Sequence, residues 1–121
     1  MKRVLVVDDS ATVRQQVGLA LKQAGFEVLE ANDGLDGAQK IAADPKIAMV
    51  ICDVNMPRMD GLSMIEKVVA DARRPPPPII MLTTEGRPDL MQRAKKAGAK
   101  GWIIKPFKAE LLVAAVSKLV A

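Results

Sequence analysis

Asp8 and Asp9 stand together after a β-branched apolar run, Val4–Val7, and Asp53 directly follows a second run, Ile47–Cys52. Thr83 and Thr84 close a third run, Ile79–Leu82, and Lys105 closes a fourth, Trp102–Ile104. One aspartate after a strand is usually a turn or helix-cap residue. Four strand ends that each deliver a charged or hydroxyl group to one rim make a chemical constellation. Three carboxylates held close repel one another, and one would otherwise take up a proton. A hard divalent cation relieves that repulsion, and Mg²⁺ fits because it takes a few carboxylate oxygens and keeps several waters. Histidine is absent and Cys52 is the single cysteine, which disfavours a softer metal. The open coordination sites suit phosphoryl oxygens. Lys105 supplies a positive point charge and Thr83 a hydroxyl donor. This layout serves phosphoryl transfer, where positioning and charge neutralisation dominate. A carboxylate can itself be the nucleophile and form an acyl phosphate, and Asp53, after the central strand, is the candidate.

These residues need a scaffold that brings four strand ends together. After Val4–Val7, Ser10 can cap a helix through its hydroxyl. Val13, Val17, Ala20, Leu21 and Ala24 then recur at helical spacing. Gly18 inside that helix costs roughly 1 kcal/mol relative to alanine, and Gly25 ends it. Glu27–Ala31 reads as a weaker strand and Asn32-Asp33-Gly34 as a turn. Leu35, Ala38, Ile41 and Ala42 make a short helix closing near Asp44-Pro45. Gly61 precedes a helix carrying Leu62, Ile65, Val68, Val69 and Ala72. Pro75–Pro78 can be neither helix nor central strand and reads as an extended connector. Pro88 opens a helix with Leu90, Met91, Ala94 and Ala97, which Gly98 ends. Leu111, Leu112, Ala115, Val116 and Leu119 line the last helix. Five strands alternating with five helices predict an α/β fold, a doubly wound parallel sheet covered on both faces. Ile47–Cys52, apolar on both sides, suits the sheet centre. The crevice of such a sheet lies outside the carboxyl ends of its strands, where the polar residues collect. Alternation turns Cys52 to the face opposite Asp53, as a small buried hydrophobe.

Composition narrows the function further. A chain of 121 residues suits one domain over 1–121, with no separate output domain expected. Apolar residues are 50% and charged residues 26%, which excludes disorder. Phe26, Trp102 and Phe107 are too few for base stacking, so nucleic-acid binding is not expected. Without histidine there is no Ser-His-Asp or Cys-His catalysis, and one cysteine forms no internal disulfide. No apolar run approaches a membrane span and no leader follows Lys2 and Arg3, so the cytoplasm is the expected compartment. Neither a G-x-G-x-x-G fingerprint nor a P-loop is present. The net charge is +4, with Arg87, Arg93, Lys95, Lys96 and Lys100 in one stretch. That stretch is a solvated helix face or a docking surface for an acidic partner.

Asp8-Asp9, Asp53 with Met56-Pro57 and Asp60-Gly61, Thr83, and Lys105-Pro106-Phe107 together resemble the receiver domain of bacterial two-component response regulators, over essentially the whole chain. The resemblance implies a flavodoxin-like sheet in the order 2-1-3-4-5. It implies that Asp53 accepts a phosphoryl group from a histidine kinase, and that Asp8, Asp9, Asp53 and the Asn55 carbonyl hold Mg²⁺. Lys105 and the Thr84 backbone N–H would meet the phosphoryl oxygens. Thr83 would swing toward the phosphate while Trp102, standing where tyrosine or phenylalanine is commoner, turns inward. Asn55 and Glu85 match positions that tune autodephosphorylation, a chemotaxis-like pairing, and Lys105-Pro106 would be a cis peptide.

On this reading the message is carried by a surface, the fourth helix, fifth strand and fifth helix, and read by a downstream protein. Arg93, Lys95, Lys96 and Lys100 are expected there, facing an acidic target. A monomer is expected, with a histidine kinase as donor and a phosphatase as a further partner. An enzyme acting on a separate substrate is not expected. A haloacid dehalogenase-type phosphatase needs a second aspartate two residues after the first, and Ser10 stands there. The main alternative is a phosphorylation-independent interaction module on the same fold.

Overall fold

The computed structural model describes residues 2–72 and 74–120, and strands and helices alternate along them. The elements are β1 (Arg3–Val7), α1 (Ala11–Gln23), β2 (Glu27–Ala31), α2 (Gly34–Ala43), β3 (Ile47–Cys52), α3 (Gly61–Asp71), β4 (Ile79–Thr83), α4 (Pro88–Ala97), β5 (Gly101–Ile104) and α5 (Ala109–Val120). The strands form one parallel sheet in the order β2-β1-β3-β4-β5. The order reverses direction beside β1 and β3, so a crevice opens between their carboxyl ends.

Strand alternation divides the interior into two cores. Leu5, Val7, Val50, Cys52, Ile79 and Met81 face α2, α3 and α4, where they meet Ile41, Leu62, Met64, Ile65 and Ala94. Val4, Val6, Met49, Ile51, Ile80 and Leu82 face α1 and α5, where they meet Val17, Leu21, Leu112 and Val116. Covering on both faces is why the central strands are apolar throughout.

Local signals set the helix ends. Ser10 accepts from the Val13 N–H, Asp33 from Asp36 and Asp60 from Ser63, so each caps its helix. Gly25 and Gly98 take φ of +94° and +114°, a left-handed backbone that closes α1 and α4. Ala24, expected on the apolar face of α1, is instead its exposed C-cap residue. Gly34, read as part of a turn, is the first residue of α2, because Asp33 caps a helix there. Three strands run one residue beyond their apolar runs, since ladder pairing extends to Arg3↔Glu27, Thr83↔Ile104 and Ile80↔Gly101. The prolines at 75–78 form the expected connector into β4, and the Pro78 carbonyl accepts the Val50 N–H.

Candidate functional site

The loops after β1 and β3 bring Asp8, Asp9 and Asp53 together, with one carboxylate oxygen from each within 4.8 Å of the others. Asp8 and Asp53 are buried, whereas Asp9 is exposed and opens the cluster to water. The Asp8 carboxylate accepts the Ser10 N–H at 2.9 Å, and Asp53 Oδ1 accepts the Val54 N–H at 2.7 Å. These bonds aim both side chains across the crevice.

Lys105 reaches into the cluster from the end of β5. Its Nζ donates to Asp8 Oδ2 at 2.9 Å and to Asp53 Oδ2 at 3.1 Å. Burial pushes the Asp8 carboxyl above the usual range, against the opposing pull of the Ser10 N–H and Lys105. Burial would lower the Lys105 ammonium, but its bonds to Asp8 and Asp53 carry it above the usual lysine value. The cluster is thus short of positive charge. Its donors are all oxygen and one side is open to solvent, a set that fits a hard cation retaining several waters. The Lys105-Pro106 peptide is cis.

Thr83 ends β4 fully buried, and its Oγ1 accepts the Glu85 N–H at 3.1 Å. The carbonyl of the same Glu85 accepts the indole N–H of Trp102 at 2.9 Å. Thr83 and Trp102 therefore grip opposite ends of one residue in the β4–α4 loop. The Trp102 ring is half-buried against the α2–α3–α4 core. Thr84 is exposed and lines a groove with Val13, Gln16, Lys105, Pro106 and Phe107 beside the acidic cluster. Asn55 is exposed on the β3–α3 loop.

Gly61 opens α3 directly beneath the acidic cluster. A Cβ there would lie 1.9 Å from the Asp53 carbonyl oxygen. Cys52 is buried on the far side of Asp53, as alternation predicts. Burial pushes its thiol well above the usual value, and the neighbouring Asp53 and Asp8 charges add to the shift.

The basic stretch divides. Arg93 turns toward α3, where its Nη2 lies 2.7 Å from Glu66 Oε1. Both side chains of this pair stay exposed, so Arg93 remains on the surface with a partner already beside it. Lys95, Lys96 and Lys100 are exposed. Two arginines went unnoticed in the sequence because no motif marks them. Arg14 donates to the Asp8 carbonyl and to Glu30, and Arg58 donates to Asp33.

Fold and cluster define a flavodoxin-like α/β domain with an acidic, lysine-bridged pocket at the carboxyl edge of its sheet. The family described as the response regulator receiver domain matches residues 4–117. The chain belongs to this family of phosphorylation-regulated switches in two-component signal transduction. It is 42% identical over 111 residues to the chemotaxis protein CheY1 of Helicobacter pylori, covering 91% of this chain and 90% of that one. Among solved structures, the chemotaxis protein CheY4 of Vibrio cholerae superposes with a TM-score of 0.90 at 39% identity, covering 98% of both chains. A CheY-like receiver domain protein of Methanospirillum hungatei superposes with a TM-score of 0.92 at 27% identity, covering 99% of this chain and 94% of that one. No helix among the described residues is long and apolar enough to cross a membrane.

Proposed function

We propose that the chain, one receiver domain over 1–121, is a cytoplasmic signalling switch that Asp53 operates by accepting a phosphoryl group from the phosphohistidine of a histidine kinase. The observation that carries this is the Asp8, Asp9 and Asp53 cluster bridged by Lys105. Asp8, Asp9, Asp53 and the Asn55 main-chain carbonyl would hold Mg²⁺, which when bound supplies charge neutralisation for the phosphoryl oxygens.

An Asp53 carboxylate oxygen attacks phosphorus, the O–P bond forms, the N–P bond of the donor breaks, and the imidazole leaves with the bonding electron pair and takes up a proton. Lys105 leaves the Asp53 carboxylate and follows the new phosphoryl oxygens, which carry more charge. The Thr84 N–H donates to the same oxygens. Asn55 and Glu85 set access for the water that later hydrolyses the acyl phosphate. The domain performs this chemistry on itself and has no separate substrate.

The Thr83 hydroxyl turning to the phosphoryl group gives up the Glu85 N–H, and Glu85 is the residue that Trp102 holds by its carbonyl. That shared residue links the site to the α4–β5–α5 surface. Met91, Ile104 and Leu111 are exposed on those three elements, and Lys95, Lys96 and Lys100 are exposed nearby, which supports docking of an apolar and acidic target protein. The CheY relatives support a role in chemotaxis or motility. The receiver acts as a monomer, and a phosphatase resets it.

The test is intact mass after incubation with acetyl phosphate, with and without Mg²⁺, on wild type and Asp53→Asn. A Mg²⁺-dependent phosphoryl adduct that Asp53→Asn abolishes is expected. No adduct under rapid quench or with a kinase donor would overturn the reading in favour of a phosphorylation-independent interaction module.

A further inference from the structure

Two arginines stand on the elements that follow β1 and β3, and both are anchored on the junction between β2 and α2. Arg14, on α1, donates from Nη1 to the carbonyl of Asp8 and from Nε to Glu30 Oε1 at 2.9 Å. Arg58, in the β3–α3 loop, donates from Nε to Asp33 Oδ2. Glu30 lies near the end of β2 and Asp33 caps α2 three residues later. One short stretch thus grips both loops that carry the cluster, and its Ala31 carbonyl also accepts the Asp8 N–H at 3.1 Å.

The grip on the β3–α3 loop is tight. The Gly34 N–H donates to the Met59 carbonyl at 2.9 Å, and a Cβ on Gly34 would lie 2.5 Å from that oxygen. Arg58 itself has φ +63°, a left-handed conformation that non-glycine residues rarely adopt. Asp33 uses Oδ1 to cap α2 through Asp36, which leaves Oδ2 for Arg58. A disfavoured backbone held by a side-chain ion pair marks a loop whose shape is imposed from outside.

We propose that Glu30 and Asp33 act through Arg14 and Arg58 as a clasp that holds the β1–α1 and β3–α3 loops at the separation a divalent cation requires. All four are positioning residues, and the proposal rests on the reading of Asp8, Asp9 and Asp53 as the cation site. It makes a prediction opposite in sign to simple charge. Each arginine is a cation on an element adjoining the cation site, so if charge alone mattered its removal would not weaken Mg²⁺ binding. If the arginines set geometry, removing either loosens a loop and weakens binding.

The test is calorimetric titration of the protein with Mg²⁺ alone, without any phosphodonor, on wild type, Arg14→Gln and Arg58→Gln. Each arginine variant is expected to bind about 10-fold more weakly, the scale on which outer partners tune metal sites. Unchanged or tighter binding in both overturns the clasp. The Arg58 side chain is 59% exposed, so its loss opens no hole in the core. Asp33→Asn keeps a capping side chain, and combined with Arg58→Gln it is expected to weaken binding no more than either change alone. Additive losses would overturn the Asp33–Arg58 link. A wild type that gives no saturable Mg²⁺ heat would overturn the cation-site reading itself, and the clasp with it.

Discussion

Gly61→Ala tests how closely the end of β3, where Asp53 stands, is tied to the helix behind it. The added Cβ would lie 1.9 Å from the Asp53 carbonyl oxygen and 3.0 Å from both the Asp53 carbonyl carbon and Cys52 Sγ. A carbon–oxygen contact needs about 3.3 Å, so the main chain must open by more than about 1 Å. Neither side can yield alone. The Asp53 N–H is bonded to the Val7 carbonyl and the Gly61 N–H to the Val54 carbonyl, at 3.0 and 2.8 Å. Overpacking against backbone falls at the upper end of its usual range, about 3 kcal/mol. For a domain of this size that lowers Tm by about 10 °C. A displacement of about 1 Å at Asp53 would also slow phosphoryl transfer by about 100-fold on the proposed function. Gly18→Ala is the matched control. Its Cβ, on α1, would meet only Val28 Cγ1 of β2, at 3.5 Å, an ordinary van der Waals contact. It should gain about 0.5–1 kcal/mol and raise Tm by a few degrees. Thermal unfolding followed by circular dichroism reads both, and the acetyl phosphate adduct reads the second effect of Gly61→Ala. A Gly61→Ala protein that melts with wild type and is phosphorylated at the wild-type rate would refute the reasoning.

Two further outcomes follow from side-chain bonds. Arg58 beside Asp33, followed by the Asp36 N–H, holds the Asp33 carboxyl below the usual range. Its stabilising contribution is therefore full above the unfolded value near 3.9 and is lost as pH falls through the lower folded value. Asp33→Asn should cost about 1 kcal/mol at pH 7, and urea melts should show that gap closing below about pH 4; a gap that persists in acid would contradict the ion-pair assignment. Trp102→Phe removes the donor to the Glu85 carbonyl, a bond of about 1 kcal/mol, so amide exchange at Glu85 should quicken about fivefold. Unchanged exchange there would show that the indole does not hold the loop.

Much of the fold was legible because the signals are short-range. The β3 run Ile47–Cys52 has the bounds its apolar residues predict. Ser10 caps α1, and Gly25 and Gly98 close helices through left-handed backbone, each decided within a few residues. Where short-range reading slipped, at Gly34 and Ala24, a cap had to be told from a turn or a core residue, and both use the same residue types.

Residue order alone specifies which chemistry is present and at which rim: carboxylates, hydroxyls and a lysine following apolar strands, in a pattern that places the chain in its family. Which side chain bonds to which follows from the folded arrangement. Lys105 reaches Asp8 across 97 positions and Asp53 across 52, a pairing that needs β5 and β1 on opposite sides of β3. Arg93 meets Glu66 because α3 packs beside α4. Arg14 meets Glu30 because α1 packs beside β2, and Arg58 meets Asp33 because α2 packs beside α3. Periodicity is written in spacing along the chain, whereas the partner of a long charged side chain depends on strand order and on which loops meet at the sheet edge.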